Sequence, residues 1–545
     1  MIKKGRDMFE DAIQIDLDIK IGKEKFEIPG GNIRNLNLNL FSYGFNGSIG
    51  FWIISDSVKD TLFLNFLKPD LIELTLTVEA VYNQSGEKTS PLTIKSIVTG
   101  KSVREETYNE VSDKPVLQRY YEMSFRDAPS LLWSQHYPSK IYVEKKMSDI
   151  IKEHTVSGIT TDLDFKALEK KCPMQFLGLG NEENDASFYD FLMWYLKSNN
   201  GLCYYDYKKY KFCLTDKKPV EKEAYSIKRY ETKDLSLSLK FPETIRHNNR
   251  ILNASTESSK TIDVKQDQAV TGLNRDMVIR EDIAGKVSTI QTLEKSKLKV
   301  RDHELKIDFG QFPSYPFWPG SFIEFGKEYW GSDSYIYKKK YRVYEVSITA
   351  EATQQKPGEN YNAPFNTYKS VVSAKLEHSD NPVAFFPEFK TPKYPVYIEG
   401  RIISEAGKKE DKTFQIETDK ETSEESYAVH VPLWNCKVMA PFTPGITTGH
   451  FFFPAFTNSR VLLAVYYDCA EIDKFLDWGD GTRLTMDSQG NHILFGKNDA
   501  SNMSMKYEYA ENKPKFIMKR ISDKDTELIQ MEDGNIILQT KEEKK

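Results

Sequence analysis

The sequence has few cysteines, and their arrangement fits neither a metal site nor a disulfide framework. The 545 residues include five cysteines and no Cys-x-x-Cys pair. An odd number of widely spaced cysteines argues against a disulfide-stapled secreted domain and against a zinc knuckle. The five are Cys172, Cys203, Cys213, Cys436 and Cys469. Cys203 and Cys213 flank a Tyr- and Lys-rich hairpin, and we interpret them as small buried apolar residues in a reducing compartment.

Long apolar runs and a dominant charge are also missing. No run approaches the roughly 20 apolar residues that a membrane-spanning helix needs. The first ten residues carry positive charge with no apolar run behind them, which predicts that there is no signal peptide. The net charge of -5 comes from 75 basic and 80 acidic residues mixed along the chain, so no general attraction to nucleic acid is expected. We therefore predict a protein that starts in the cytoplasm and binds no nucleic acid.

Catalytic and cofactor motifs are absent from the sequence. The eight histidines form no His-Glu-x-x-His pattern and no cluster with cysteine, and Leu177–Gly180 begins a Gly-x-Gly-x-x-Gly motif without completing it. No Gly-x-Ser-x-Gly elbow or Walker loop occurs. We predict no enzyme activity, no catalytic residue, no cofactor and no metal. His492 is the one candidate ion ligand. In a trimer, three copies of His492 could lie near one axis and bind an ion. A solvent-facing position is favoured.

Strand-forming patterns occupy most of the 63.0 kDa chain, which is long enough for several domains. Short alternating strands up to residue 126 predict a small barrel or sandwich, and strand patterns return over 241–377 and 394–468. Between them, Ala186–Ser198 predicts a helix capped by Asp185 or Ser187, with one apolar stripe. A proline-rich stretch ending near residue 393 predicts a linker.

The last stretch, residues 481–540, combines alternating apolar residues with turn signals. Successive strand side chains point to opposite faces, so the alternation over 503–509 predicts one apolar face and one polar face. Met486–Asn491 and Met531–Asn535 repeat a turn pattern in which Gly and Asn tolerate positive φ. An isolated ribbon of this kind is marginal in water. Its apolar face must pack on its own domain or on other copies of the chain, and the pattern alone leaves these alternatives even.

Eight segments follow one another along the chain in a distinctive order: Arg119–Phe125, Leu131–Trp133, Ile141–His154, Asp185–Leu192, Gly201–Tyr205, Tyr394–Ile403, Tyr427–Trp434 and Phe453–Leu463. This order resembles that of the VgrG family, the spike of type VI secretion systems, and of its counterparts in contractile phage tails and extracellular injection machines. The helix motif departs from the family pattern, because Asp185-Ala-Ser replaces Glu-Ser-Asp and Asn199-Asn200-Gly201 replaces Glu-Glu-Gly. The resemblance covers essentially the whole chain.

The resemblance implies a mainly β fold with a small α+β insert. Two hub β-barrels would lead to an OB-fold barrel and a C-terminal trimeric β-prism needle. The implied boundaries are 1–127 for the first hub barrel, 128–240 for the inserted α+β subdomain, 241–380 for the second hub barrel, 381–393 for the Pro-rich linker, 394–478 for the OB-fold barrel and 479–545 for the needle.

Within the needle, we expect the apolar residues to form a core shared by three chains. A tip partner is expected to dock on Ile537, Leu538 and Thr540. The predicted core residues are Met486, Ile493, Met503, Met505, Tyr507, Tyr509, Phe516, Met518, Ile529, Met531 and Ile536.

The function implied by the resemblance is mechanical. A homotrimer would sit on the tail tube among baseplate proteins, carry a PAAR-type tip protein or effector, and puncture a target envelope. It would be cytoplasmic before firing and then secreted or injected, meeting the target membrane only on firing. Two alternatives remain open: the baseplate hub and spike of a contractile phage, and a trimeric β-structural protein that binds or degrades polysaccharide.

Overall fold

The computed structural model describes residues 10–55, 59–81, 89–108, 116–220, 223–239, 246–301, 303–404, 416–420, 424–441, 455–476, 484 and 490–542. The chain divides into two compact units. The first comprises Met1–Tyr137, Met147–Lys170 and Ala186–Thr391, and the second comprises Pro138–Lys146, Lys171–Asp185 and Pro392–Lys545. Strands far outnumber helices in both units, so the predicted mainly β fold is confirmed.

The elements follow one another in four groups. Residues 10–126 form β1 (Glu10–Ile21), β2 (Glu24–Ile28), β3 (Ile33–Phe41), β4 (Gly44–Ser55), α1 (Leu62–Phe66), β5 (Ile72–Ala80), β6 (Leu92–Tyr108) and β7 (Val116–Arg126). Residues 127–239 form α2 (Ala128–Leu132), β8 (Ile141–Lys146), α3 (Met147–Glu153), β9 (Thr161–Asp164), β10 (Lys171–Phe176), α4 (Phe188–Ser198), β11 (Leu202–Asp206), β12 (Lys211–Thr215), β13 (Tyr225–Ser226) and β14 (Thr232–Ser238). Residues 246–378 form β15 (Asn248–Asn253), β16 (Lys260–Val264), β17 (Asn274–Ile279), α5 (Ala284–Lys297), β18 (Glu304–Phe309), β19 (Phe322–Glu324), β20 (Lys340–Ala352) and β21 (Asn366–His378). The remainder forms β22 (Val396–Ile402), β23 (Ile416–Thr418), β24 (Glu425–Val431), β25 (Cys436–Pro441), β26 (Arg460–Val465), β27 (Ala470–Phe475), β28 (Gly490–Asn498), β29 (Ser501–Ala510), β30 (Lys513–Ser522), β31 (Asp525–Glu532) and β32 (Asn535–Lys541).

Eight strands of the first unit close into an antiparallel ring. The order around it is β20, β3, β4, β7, β6, β5, β1 and β21, and β21 pairs back onto β20. Alternate residues point inward and are buried, as Ile15, Leu17 and Leu38 illustrate. A closed ring pairs its strand edges, and its interior buries a continuous apolar core of aliphatic and aromatic side chains.

The two longest strands of the C-terminal half of this unit have different neighbours along their length. Residues Glu345–Glu351 of β20 pair with β3, whereas Lys340–Arg342 pair with β19. A register shift between Val343 and Glu345 separates the two parts, as a bulge that bends a strand does. Strand β21 likewise pairs with β1 near its start and with β18 near its end. The sheet therefore continues from β20 to β19 and β13, and from β21 to β18 and β14.

The ring draws strands from both of the ranges that the sequence analysis assigned to hub barrels. The sequence analysis placed one barrel in 1–127 and another in 241–380, whereas the observed ring takes six strands from the first range and two from the second. Strand length explains why β20 and β21 contribute to both parts of the sheet. A strand of 13 residues extends about 43 Å, which is long enough to pair with one neighbour along its first half and with another along its second half. The predicted boundaries themselves remain predictions.

The predicted helix of the insert is present with its cap. Ser187 Oγ accepts a hydrogen bond from Asp190 N at 3.2 Å, and Asp190 Oδ2 accepts one from Ser187 N at 2.9 Å. This reciprocal capping box satisfies two otherwise unpaired donors at the start of α4. The apolar stripe that was predicted from the sequence is buried: Phe188, Phe191, Leu192, Tyr195 and Leu196.

A buried ionic cluster of the first unit surrounds Glu377. The carboxylate accepts from Arg342 Nη1 at 2.7 Å, from Lys218 Nζ at 2.6 Å and from Asn381 Nδ2 at 2.7 Å. Phe385 stacks on Tyr344 at 4.2 Å between ring centroids, and Lys218 Nζ lies 5.2 Å from the Phe385 centroid. The start of the predicted Pro-rich linker is thus tied to its own unit by side-chain contacts.

The second unit contains a six-stranded antiparallel sheet, with β23, β24, β22, β26 and β27 in order and β25 pairing with β24. Its core is aliphatic, with Val429, Val461 and Leu463 fully buried. The antiparallel pair of strands β8 and β10 contributes Ile141 and Phe176 to the same core. Assignment of this sheet to the OB fold remains a prediction.

The second unit ends in a five-stranded antiparallel meander, β28 to β32, in which each strand pairs with the next. Its tight turns use residues with positive φ, including Asn512 at +65°, Asp523 at +53° and Gly534 at +77°. Such turns match the right-handed twist of the flanking strands. The Asp-Gly turn predicted at 531–535 lies between β31 and β32, whereas the related pattern at 486–491 lies largely outside the described residues.

Candidate functional site

The register of the meander aligns apolar side chains into rows that cross all its strands. Directly paired residues share a face of the sheet, and so do residues two apart on one strand. The central row is apolar from end to end and comprises Ile493, Met505, Met518, Ile529 and Leu538. A neighbouring row comprises Asn491, Tyr507, Phe516, Met531 and Ile536. These rows and the other residues on the same side of the sheet form what we term the apolar face of the meander.

The apolar face is open to solvent in the single chain. Leu538 is 75% exposed and Ile536 is 68% exposed, whereas the side chains of Met505 and Met518 are partly covered by their neighbours. A groove of about 300 Å³ runs over this face and is lined by Met503, Met518, Ile529 and Leu538, among others. Contiguous exposed apolar surface of this kind marks an interaction site in soluble proteins.

The structure brings the predicted core residues together. Ten of them lie on the apolar face: Ile493, Met503, Met505, Tyr507, Tyr509, Phe516, Met518, Ile529, Met531 and Ile536. Met486, the eleventh, lies outside the described residues. Their shared face follows from the strand pairing, while their role in a trimer core remains a prediction.

The three predicted tip residues lie on β32, the last strand of the meander. Leu538 and Thr540 belong to the apolar face, whereas Ile537 points to the opposite side. Within the described residues, β32 pairs only with β31, so its outer edge presents free backbone donors and acceptors. A free edge of this type can pair with a strand of another chain. Docking of a tip partner there remains a prediction.

His492 lies on the opposite face from the apolar rows. It pairs in register with Lys506, and neither ring nitrogen has a hydrogen-bond partner although both are buried. Burial lowers the pKa of the His492 imidazole, and the Lys506 charge lowers it further. Within the described residues, no group of three or more histidine, cysteine, aspartate or glutamate side chains is arranged to hold a metal ion.

Two charged residues on the apolar face were missed by the sequence analysis. Arg520 and Glu527 pair across β30 and β31, with 2.8 Å between Arg520 Nη1 and Glu527 Oε1. Both are an even number of residues from predicted core positions, Arg520 from Met518 and Glu527 from Ile529. Strand parity alone could have placed them on this face, but a search for apolar residues passes over charged ones.

The described part of the chain contains no helix long and apolar enough to cross a membrane.

Comparison with known proteins shows likeness in structure but not in sequence. No protein-family model and no curated protein matches the sequence. The half-lidded Francisella PdpA–VgrG complex superimposes with a TM-score of 0.72 at 14% identity, covering 99% of this chain and 89% of that chain. The lidded Francisella complex gives 0.71 at 15%, covering 98% and 80%, and a lidless PdpA–VgrG complex gives 0.71 at 14%, covering 98% and 99%. The chain therefore has a VgrG-like fold, as the order of its sequence motifs predicted.

Proposed function

We propose that this chain is the homotrimeric hub and spike of a contractile injection machine. The observation that carries the proposal is the apolar face of the meander, which stays solvent-exposed in the single chain of a VgrG-like fold. Fully burying one large apolar side chain contributes about 1.5–3 kcal/mol. The face supplies ten such predicted core residues per chain, so three copies facing a common axis gain a core that one copy lacks.

The proposed needle is suited to a mechanical role. Five strands per chain, about 4.8 Å apart, would stack along the axis with β32 at the tip. Backbone hydrogen bonds would run along the axis, and the side chains of three copies would fill the interior. Such a prism resists bending, which is what puncturing an envelope requires. The role needs no turnover, and we propose no enzyme activity.

The partners in this proposal follow from where each part of the chain would lie in the assembly. The barrels of three chains would sit on the tail tube and contact baseplate proteins, and the edge of β32 would receive a tip protein or effector. The similar solved structures are complexes of VgrG with PdpA, which supports a protein partner for this chain. The assembly would be cytoplasmic before firing and would meet the target membrane only during ejection.

The first test is the solution mass of the full chain beside a truncation after residue 480. We expect the full chain to have about three times its mass of 63.0 kDa, because the apolar face is then covered. The truncated chain should dissociate to monomer or to a weaker trimer. A variant lacking only residues 543–545 is the matched control, and it should remain trimeric.

A monomeric full chain with an unchanged truncation would overturn the proposal. If the truncated chain forms an equally stable trimer, the meander does not stabilise the assembly and the contacts between chains lie elsewhere. Light scattering over a range of chain concentrations distinguishes these outcomes.

A further inference from the structure

The two flanks of the apolar face carry different chemistry. One flank holds Met503, Arg520 and Glu527, and we term it the ionic flank. The other flank holds Tyr507 and Tyr509, whose rings meet at 5.8 Å between centroids in an edge-to-face arrangement, and we term it the aromatic flank. The two flanks lie on opposite sides of the central apolar row.

The ionic flank is incompletely satisfied within its own chain. Arg520 Nη1 bonds Glu527 Oε1 at 2.8 Å, but Glu527 Oε2 is buried without a hydrogen-bond partner. A guanidinium has five N–H donors, and in the single chain the Arg520 side chain is 59% exposed, so the donors that do not contact Glu527 are open to solvent. Covering this flank with purely apolar side chains would bury a charged pair, which is costly unless its remaining hydrogen bonds are made.

The aromatic flank offers the groups that the ionic flank lacks. Tyr507 is 40% exposed and Tyr509 is 43% exposed in the single chain, so both side chains can be reached by a second copy. A phenol hydroxyl donates to a carboxylate oxygen. The face of the ring attracts a guanidinium within about 6 Å of its centroid.

The flanks of one chain are too far apart to meet each other. Arg520 pairs with Met503 on β29, and Tyr509 lies six residues further along that strand. At about 3.3 Å per residue, this places the Cα atoms of Arg520 and Tyr509 roughly 20 Å apart.

Cyclic symmetry brings unlike flanks together. In a ring of three copies, every contact joins one side of a subunit to the other side of the next, so the contact is heterologous. With the apolar faces turned to the axis, each corner of the prism joins one ionic flank to one aromatic flank.

We propose that each corner of the trimer is an ionic flank docked on the aromatic flank of the next copy, with Arg520 lying on Tyr509 and Glu527 Oε2 accepting a phenol hydrogen bond. This inference rests on the proposed homotrimer. It adds the residues that would select the neighbouring copy and fix the register between the two copies. The partner that fits this surface is a second copy of this chain. A chain whose needle lacked an aromatic flank at this height would leave the Arg520–Glu527 pair buried and unsatisfied.

Disulfide trapping in the full chain tests the geometry. Arg520→Cys and Tyr509→Cys are introduced together in a Cys469→Ser background, because Cys469 is the exposed native thiol among the described residues. A disulfide needs Cα atoms within about 7 Å, which the flanks of one chain cannot provide. We expect covalent dimers and trimers on oxidation of the double-cysteine chain, and neither from the single-cysteine variants.

A mutant cycle tests the chemistry of the contact. We expect Arg520→Ala to raise the chain concentration at which the trimer dissociates by about tenfold or more, because it leaves Glu527 buried and unpaired. Tyr509→Leu should act in the same direction, and the double variant should lose little more than either single variant. Arg250→Ala is the matched control, because Arg250 pairs with Asp276 in the other unit and its loss should leave the trimer unchanged.

The outcomes separate this inference from the proposed function. A trimeric chain whose double-cysteine variant does not cross-link, or whose Arg520→Cys variant cross-links to itself, overturns the flank pairing alone. Additive effects in the mutant cycle also overturn it. A monomeric full chain overturns both the pairing and the homotrimer.

Discussion

At the scale of single residues, Glu377 is the anion that holds Lys218 and Arg342 together in the first unit. We expect Glu377→Gln to lower the free energy of unfolding by about 3 kcal/mol, because it leaves two buried cations without their carboxylate. Denaturant unfolding of the full chain, followed by tryptophan fluorescence, measures the change. Glu73→Gln is the control: its partner Lys20 is solvent-exposed, so a loss below about 1 kcal/mol is expected. Equal losses in the two variants would contradict this role for Glu377.

Lys218 gives the same cluster a pH dependence. Burial lowers the pKa of Lys218 to about 8 although Glu377 raises it, whereas an unfolded lysine titrates near 10.5. Between about pH 8 and 10.5 the unfolded chain therefore binds more protons at this residue, so its contribution to stability rises with pH across that window. We expect Lys218→Met to flatten this part of the curve of unfolding free energy against pH. An identical pH profile in the variant would rule Lys218 out as the source.

Residue-scale features that depend on neighbouring residues could be predicted from the sequence, and those that depend on distant residues could not. The alternation of Met503, Met505, Tyr507 and Tyr509 placed them on one face, because strand parity is a local property. Glu377 and Lys218 are 159 positions apart, and no local pattern links them. The Arg520–Glu527 pair lies between these cases, since parity predicts its face but not its missing hydrogen bond.

At the scale of elements, the two faces of β29 provide a direct contrast. Met505 belongs to the apolar face and its neighbour Lys506 points to the other side. We expect Met505→Glu to abolish the trimer at micromolar chain concentration, because an unpaired carboxylate would enter the shared core. Lys506→Glu is the matched control, and it should leave the solution mass unchanged. Light scattering measures both, and a trimer that tolerates both changes would contradict an apolar face at the axis.

Elements built from adjacent residues were predictable from sequence, and elements completed by distant ones were not. The α4 helix, its Ser187 cap and the Asp533-Gly534 turn follow from local chemistry. The ring of the first unit does not, because its closure pairs β3 with β20 more than 300 residues later. A strand's own sequence records which of its faces is buried but not which strand lies beside it.

At the scale of the whole molecule, the VgrG-like fold is reached with only 14–15% sequence identity to the similar structures. The likeness nevertheless extends over 98–99% of this chain. Individual residues vary because many apolar side chains of suitable size fill the same core. The order of the motifs along the chain therefore predicted the fold better than any single motif did.

The shared strands β20 and β21 also govern how the protein can be made. Six strands of the first-unit ring are complete once residue 126 has left the ribosome, but the two strands that close it end at residues 352 and 378. At about 5–20 residues per second, translation of the intervening segment takes roughly 13–50 s. Until β20 and β21 have been made, β3 and the first residues of β1 lack their ring partners, and the apolar interior is not closed. We therefore expect the barrel to close only after residue 378 has been synthesised, and unpaired strand edges with exposed apolar surface are prone to aggregation until then.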